Sequence, residues 1–452
     1  MKIIVSGCGK IGTNVVSQLV SEGHDVVCID PNRSVIEELT NIYDVMGVCG
    51  NGADSDVLKE AGVSKAELYV SLAGSDELNM LSCFLAKSVG APHAIARIRN
   101  PEYNDRSLGF LRSTLKLDDS VNPEALTAKE IYDILKFPSA VNIESFSGRN
   151  FEMIELKLKA DTPLDGMRLM DLRKKYQEKF LVCAVQRENQ AFIPSGQFVL
   201  RGGDKIGLTA SPTEIQKLLK TIGILQKQAR NVMILGGSTT AFYLAKLLVA
   251  GGNSVTVIEK NRERCLEFSR ELPQAVVICG DGAQQELLLE EGIDNMDAFV
   301  SLTGMDEENI LISCFAASRK VPTVITKVNR EEFYSMAERL GLDCIVSPKK
   351  TTGDIITRYA RALENSLGSS VETLYKLMDG SVEALEFLVQ PDFEYLDIPL
   401  KEMHFKQNIL IAGIIRGRMP IIPAGNDVIK AGDKVVVFAS GMRLQTLSDI
   451  IA

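Results

Sequence analysis

A chain of 452 residues is longer than one hydrophobic core fills, and about three or four domains are expected. With 45% hydrophobic, 24% charged and 6% aromatic residues it is neither disordered nor fibrous. Its net charge of −9 argues against a nucleic-acid binder and against direct adhesion to anionic lipid.

Lys2-Ile3-Ile4-Val5-Ser6 is a short apolar run of the kind buried on both faces of a parallel sheet. It leads straight into a glycine turn, so it reads as structure and not as a signal peptide. Gly7-Cys8-Gly9-Lys10-Ile11-Gly12 follows, and Ile11, Val15, Val16, Leu19 and Val20 then recur at helical spacing up to Gly23. Residues 26–29 form a second buried strand that closes on Asp30, and Pro31-Asn32 opens the next helix. Residues 46–49 read as a strand, Gly50-Asn51-Gly52-Ala53-Asp54 as a turn, and the stretch to Ala61 as a short helix. A strand at 68–72, a helix at 76–88 and a strand at 94–97 continue an alternation that means a parallel α/β sheet. Residues 124–137 carry Leu126, Ile131, Ile134 and Leu135 at helical spacing, and this amphipathic helix is the candidate for swapping or docking between neighbouring domains. From Phe151 to Leu208 short strands dominate, with turns at Pro194-Ser195-Gly196 and Gly202-Gly203-Asp204-Lys205, before a last helix at 212–222. That is a small α+β module.

The chain then says the same thing again. Val70-Ser71-Leu72-Ala73-Gly74-Ser75-Asp76-Glu77-Leu78-Asn79 returns as Val300-Ser301-Leu302-Thr303-Gly304-Met305-Asp306-Glu307-Glu308-Asn309, with seven of ten positions identical. The offset stays close to 230: Gly7 falls on Gly236, Asp30 on Glu259, Gly50 on Gly280, Pro123 on Pro348 and Gly196 on Gly425. A tandem duplication follows, of two Rossmann-like parallel-sheet domains each followed by a small α+β domain. The expected units are 1–139, 140–226, 227–366 and 367–452. The polar join Gln226-Lys227-Gln228-Ala229-Arg230 separates the halves, and Leu367-Gly368-Ser369-Ser370 marks a boundary inside the second.

The first glycine run sits between a strand and a helix, with a carboxylate 18 residues beyond its last glycine. In that context Gly7 makes the turn, Gly9 lets backbone approach a pyrophosphate, and Gly12 permits close helix–strand packing. The helix N-terminus offers N–H groups to phosphate, and Asp30 is placed for the adenosine ribose hydroxyls, a NAD pattern that repels a 2′-phosphate. The second run, Gly236-Gly237-Ser238-Thr239-Thr240-Ala241 with Glu259, keeps one glycine of the three and has Ala at the third position. A second, different nucleotide site and a vestigial scaffold both fit it. Asn51, Ala53 and Asp54, with Asp281 in the second copy, lie in turns where an adenine fits, and Ala73 and Thr303 follow the fourth strands. Asp76 and Asp306 are either helix caps or ligand contacts. Lys10 and Arg97 are the cationic candidates, and Lys10 reads either as a phosphate contact or as a solvated lysine. The nine cysteines lack a CxxC pair and read as reduced thiols packed as small hydrophobes, Cys28, Cys183, Cys279 and Cys314 among them. The three histidines lie far apart, so no metal site is expected. No stretch reaches the roughly 18 apolar residues of a membrane helix.

These residues together resemble the TrkA-type regulators of potassium uptake, which carry two RCK (KTN) nucleotide-binding domains. The resemblance rests on Gly7-Cys8-Gly9-Lys10-Ile11-Gly12 with Asp30, Gly50-Asn51-Gly52-Ala53-Asp54, Asp76-Glu77-Leu78-Asn79 and Arg97-Ile98-Arg99-Asn100-Pro101-Glu102-Tyr103. The companion C-terminal domain is matched through Ile193-Pro194-Ser195-Gly196 and Arg201-Gly202-Gly203-Asp204-Lys205, echoed by Ile422-Pro423-Ala424-Gly425 and Ala431-Gly432-Asp433-Lys434. It implies a cytoplasmic, non-enzymatic subunit peripheral at the inner membrane face. Such a subunit binds NAD or NADH, with ATP or ADP as alternatives. It assembles as a dimeric or tetrameric gating ring on a TrkH/TrkG-like transporter. It also implies that the loop's basic residue contacts phosphate, which falls on Lys10 and, in the second copy, on Thr239. Asn51 departs from the Asp that many members carry. Two alternatives stand beside this reading: a NAD-dependent oxidoreductase, and a nucleotide sensor of another cation transporter or antiporter.

Overall fold

The structure, a computed structural model, describes residues 1–101, 103, 105–137, 142–146, 151–160, 162–188, 190–224, 228–366 and 371–452. Glu102, Gln226-Lys227 of the expected join, and the expected boundary at 367–370 lie outside them.

The first half opens with β1 (Lys2–Ser6), α1 (Lys10–Ser21), β2 (Asp25–Asp30), α2 (Arg33–Ile42), β3 (Met46–Cys49), α3 (Ser55–Glu60), β4 (Leu68–Ser71), α4 (Asp76–Val89), β5 (His93–Arg97), α5 (Asp105–Leu115), β6 (Asp119–Val121) and α6 (Pro123–Lys136). Its six strands lie parallel in the order β3-β2-β1-β4-β5-β6. Burial on both faces explains the apolar strands, since Ile3, Ile4 and Val5 are all fully buried. A smaller antiparallel sheet follows, made of β7 (Asn142–Phe146), β8 (Phe151–Lys157), β9 (Phe180–Arg187), β10 (Gln190–Phe192) and β11 (Lys205–Ala210), with α7 (Leu169–Lys175) and α8 (Pro212–Thr221).

The second half repeats the plan: β12 (Asn231–Leu235), α9 (Thr239–Ala250), β13 (Ser254–Glu259), α10 (Arg262–Glu271), β14 (Val276–Cys279), α11 (Gln285–Glu290), β15 (Ala298–Ser301), α12 (Asp306–Ser318), β16 (Thr323–Lys327), α13 (Tyr334–Arg339), β17 (Cys344–Val346) and α14 (Pro348–Ser366). Its strand order, β14-β13-β12-β15-β16-β17, copies the first. A second antiparallel sheet closes the chain, from β18 (Val371–Leu377), β19 (Val382–Leu388), β20 (Ile409–Arg416), β21 (Met419–Ile421) and β22 (Lys434–Ser440). Two elements of the first large sheet escape the sequence pattern, α5 and β6. Leu108, Leu111 and Leu115 of α5 stand at helical spacing and pack on the first core, but Gly109 and the exposed Phe110 between them blur that period. The expected join is also more than a linker, because Ala229 is buried in the core of the second half.

The halves exchange helices. Ile131, Ile134 and Leu135 of α6 are buried among Val232, Ile234 and Leu244 of the second half. Reciprocally, Ile356 and Ala360 of α14 are buried among Ile3, Val5 and Val16 of the first. The docking expected of residues 124–137 therefore occurs inside one chain. The two small sheets also share a core, with Phe151 and Met153 of β8 against Ala384 of β19 and Phe438 of β22.

A buried ion network ties the same pieces together. Glu22, at the C-terminal end of α1, accepts from Arg361 Nε at 2.7 Å and pairs with Lys376 Nζ at 2.6 Å, while Arg361 also reaches Glu383 at 2.7 Å. It joins the first large domain to α14 and to the second small sheet. Among the described residues no helix is long and apolar enough to cross a membrane, and no group of three or more potential ligands could hold a metal ion.

Candidate functional site

At the carboxyl edge of the first sheet, β1 and β4 are neighbours whose following helices leave in opposite directions, which opens a crevice. Gly7 turns the chain there with φ +86°, and a Cβ on it would lie 2.5 Å from the Ala73 nitrogen. A Cβ on Gly12 would run into the Gly7 carbonyl. Gly9 differs from both, since nothing lies within 4 Å of its Cβ position, and it lines the crevice. Gly9 caps α1 without a side-chain bond, so the first-turn N–H groups of a 12-residue helix point outward with the positive end of its dipole. Asp30 holds this loop: its Oδ2 accepts from the Cys8 N–H and its Oδ1 from the Asn32 N–H, both at 2.8 Å.

Beneath Gly52 lies a small polar floor. Tyr69 Oη and Ser82 Oγ share one hydrogen bond at 2.5 Å, and the Gly52 carbonyl, 3.3 Å from the first and 2.8 Å from the second, accepts from whichever hydroxyl does not donate to the other. Ser6 completes the cluster, and burial pushes the Tyr69 phenol well above its ordinary value. The second copy replaces every member. Leu235 stands for Ser6, Phe299 for Tyr69 and Ile312 for Ser82, and the Leu235 side chain fills the space beside Gly282. Its loop is furnished differently as well: Ser238 caps α9 with its own hydroxyl, 3.3 Å from the Ala241 nitrogen, and Arg264 Nε donates to the Gly237 carbonyl at 2.6 Å.

The first crevice is one wall of a cavity of about 740 Å³. The opposite wall comes from the second half, through Ser238, Thr239 and Thr240 at the start of α9, and through Lys327, Asn329 and Lys349. Arg97 lines it too, bonded through Nη2 to Glu124 Oε1 at 3.2 Å. Arg97 Nε and Glu124 Oε2 are buried without a hydrogen-bond partner among the described residues. Burial lowers the basicity of Arg97 and of Lys327, whose Nζ donates to the Leu302 carbonyl at 3.3 Å. Two cationic groups and an orphaned donor and acceptor thus meet in one partly closed space, the kind of arrangement that recruits a polar, anionic ligand.

The structure brings Gly7, Gly9, Lys10, Ile11, Asp30, Asn51, Ala73 and Arg97 to this cavity, together with Ser238 and Thr239 from the other half. Other expected residues are scaffold. The Cys8 thiol is buried, facing the Val5 and Ile29 carbonyls, and contact with the Cys28 thiol and burial push it far above its ordinary range. Asp54 caps α3 through the Asp56 N–H, and the Asn51 side chain closes its own turn on the Ala53 N–H at 3.0 Å, as Asp281 does on Ala283. Gly236 makes the second turn with φ +94°. Glu259 holds Gly237 and Asn261 as Asp30 holds Cys8 and Asn32, and Thr303 bonds Asn309 Oδ1 at 2.8 Å. Asp76 and Asp306 are neither caps nor exposed ligands. Each is buried and accepts backbone N–H groups from the loop after the next strand: Arg99 and Asn100 in the first copy, Asn329 and Arg330 in the second. Cys28 and Cys183 are buried as expected, but Cys279 is exposed, because it ends β14 at the sheet rim.

Glu124, Lys327 and Lys349 went unmarked in the sequence. The repeat itself could have found the last two, since Lys327 stands at the position of Arg97 and Lys349 at that of Glu124.

The comparisons with known proteins agree with this architecture. A family model described as the TrkA-N domain matches residues 3–114 and 232–348, and one described as the TrkA-C domain matches 153–223 and 384–452. The chain is 31% identical over 450 residues, covering all of both chains, to a Trk system potassium uptake protein TrkA homolog of Archaeoglobus fulgidus. It is 30% identical to a Trk system potassium uptake protein TrkA of Vibrio alginolyticus, over 97% of this chain and 95% of that one. Among solved structures it is similar in fold to the GsuK RCK domain, with a TM-score of 0.64 at 17% identity over 97% of this chain and 92% of that one. The GsuK channel bound to NAD gives 0.63 at 17% identity, over 97% and 77%. With both domain models matched twice in order and relatives aligned end to end, the chain belongs to the TrkA family of potassium uptake proteins.

Proposed function

We propose that this chain is a nucleotide-sensing regulatory subunit of a separate integral-membrane potassium transporter of the TrkH/TrkG kind. In this reading it binds NAD or NADH, with ATP or ADP as competing ligands, and performs no catalysis. It works at the inner face of the membrane as a dimeric or tetrameric ring. The observation that carries it is the cavity between the halves, whose volume of about 740 Å³ lies in the range of small-molecule sites. Asp30 takes the adenosine ribose, the Asn51-Gly52 turn lies beside the adenine, and Gly9, Lys10 and Ile11 with the first turn of α1 meet the pyrophosphate. The far end of the ligand reaches Arg97 and, across the cavity, Thr239 and Lys327. A ligand held by both halves has different affinity for different placements of those halves, which is what a gate needs. The units 1–139, 140–226, 227–366 and 367–452 are its moving parts. Names among the relatives support the transporter, and the NAD-bound structural neighbour supports the ligand.

Calorimetric titration with NADH, NAD, ATP and ADP tests the ligand. One site per chain is expected, because Leu235, Ser238 and Arg264 furnish the second crevice against a dinucleotide. Absence of binding by all four overturns the reading. Potassium flux through transporter vesicles, with and without the chain and its ligand, tests the coupling.

A further inference from the structure

The second half carries a pair of thiols that the nucleotide reading does not use. Cys279 ends β14 and is exposed, whereas Cys265 on α10 is only 6% exposed. Cys265 Sγ donates to the Glu259 carbonyl at 3.1 Å, and the N–H of Gly280, next to Cys279, donates to that same oxygen at 3.0 Å. Glu259 and Cys279 are themselves cross-strand partners in the β13–β14 ladder. The Cys265 sulfur and the backbone beside Cys279 thus converge on one carbonyl, and the two thiol side chains touch, an arrangement within reach of a disulfide, which tolerates Cα separations of about 4.4–6.8 Å. Burial and contact with Cys279 raise the Cys265 thiol to about 11, so it stays protonated while its exposed neighbour meets solvent.

We propose that Cys279 and Cys265 form a reversible disulfide driven by hydroperoxide, a redox modification site on the second large domain. The Cys279 thiolate attacks the peroxide oxygen, the O–O bond breaks, and the leaving alkoxide or hydroxide takes the proton that Cys279 gave up. Cys265 sulfur then attacks the resulting sulfenic acid. The S–S bond forms, the S–O bond breaks, and the hydroxyl leaves as water with the Cys265 proton. The two thiols supply the two electrons that reduce the peroxide, and a low-molecular-weight dithiol reverses the step by exchange.

The bond ties the first turn of α10 to the end of β14. Arg264, the residue before Cys265, holds the Gly237 carbonyl of the second glycine loop, so the crosslink fixes that loop from below. The duplication supplies an internal control. Cys49 stands at the position of Cys279 and is likewise exposed, but Ile36 stands where Cys265 does, so Cys49 has no resolving partner on its helix.

The full chain, reduced and then treated with hydrogen peroxide, is to be mapped by non-reducing peptide mass spectrometry with dimedone as a trap. The expected result is a crosslink joining Cys265 to Cys279, together with a dimedone adduct on Cys49 only. Cys265→Ser should convert Cys279 to a dimedone adduct, and the exposed-site variant Cys279→Ser should abolish the crosslink. Hydrogen exchange over residues 236–241 and 260–284 should slow in the oxidised chain. A dimedone adduct on Cys279 in the unsubstituted chain, or a crosslink to any other cysteine, overturns the pairing. A crosslink without slower exchange overturns the locking of the loop.

Discussion

Replacing Asp30 gives the sharpest test of the nucleotide site. The carboxylate offers about four lone-pair positions. One on each oxygen is already engaged, by the Cys8 and Asn32 N–H groups at 2.8 Å. About one on each oxygen remains for the ribose diol. Two charge-assisted bonds at about 1.5–3 kcal/mol each come to about 3–6 kcal/mol. Asp30→Ala should therefore weaken NADH binding by about 10²–10⁴-fold. Alanine also frees two loop N–H groups, so part of the loss comes from the loop. Asp30→Asn separates the contributions: the amide keeps the volume and one backbone acceptor but removes the charge, and it should fall between wild type and alanine. The assay is calorimetric titration beside a thermal melt. If Asp30→Ala melts normally and binds within about threefold of wild type, the nucleotide lies elsewhere and the assignment is wrong. NADPH should bind wild type more weakly than NADH, and alanine should narrow that gap by removing the like charge beside the 2′-phosphate.

Three further outcomes follow from the geometry. Gly12→Ala forces a methyl into the Gly7 carbonyl; α1 must retreat, at a cost of about 1–3 kcal/mol, and a variant with unchanged melting and NADH affinity would show that α1 need not pack so closely. Glu22→Ala strands the Lys376 ammonium and should cost about 3–5 kcal/mol in chemical denaturation, against no change if the network is solvated in solution. Burial pushes the Glu22 carboxyl up, but Lys376 and Arg361 outweigh it and leave it lowered. This contribution is therefore present above the unfolded value of about 4.3 and is lost as pH falls. Glu130 and Glu144 have the opposite sign. Burial raises them to about 7 and about 8 against the relief given by Thr351 and Lys350 to the first and by Arg358 to the second, with Asp354 adding like charge to both. Their stabilisation is complete below about 4.3 and is lost as pH rises through about 7 and about 8. Denaturation midpoints across that range should fall in wild type and flatten in the Glu130→Gln, Glu144→Gln double variant, and parallel curves would refute the assignment.

The strands and glycine turns were legible in the sequence because their cause is local. A strand buried on both faces must be apolar, and only glycine fits the Gly7 and Gly12 positions. The most repeated decapeptide was legible as important but not as to why. Asn79 donates to the Ala73 and Arg97 carbonyls and accepts from the Ala73 N–H, and Asn309 makes the matching bonds to Thr303 and Lys327. These side chains hold the crevice rim in both halves, so the segment recurs because it is scaffold, whichever half keeps a ligand. The meeting of the cavity's two walls was not legible. Lys327 and Lys349 meet Arg97 and Glu124 only because α6 and α14 cross between the halves, and no local pattern encodes that juxtaposition.

That crossing also explains what duplication within one chain makes possible. Two identical chains related by a twofold axis present the same residue on both sides of their interface, so any substitution appears twice. Here the two sides differ. Lys10 faces a cavity whose other wall has Thr239, Arg97 is matched by Lys327, and Glu124 is matched by a residue of opposite charge, Lys349. The polar floor under Gly52 is likewise retained on one side and replaced by Leu235, Phe299 and Ile312 on the other. One half can therefore be tuned as a binding site while the other is tuned as its lid. The exchanged helices α6 and α14 keep the pair aligned. Reverting the floor of the second half, by Leu235→Ser with Phe299→Tyr and Ile312→Ser, tests the argument directly. If the asymmetry sets the stoichiometry, the triple variant should move toward two nucleotides per chain. A folded variant that still binds one shows that Ser238 and Arg264, not the floor, exclude the second.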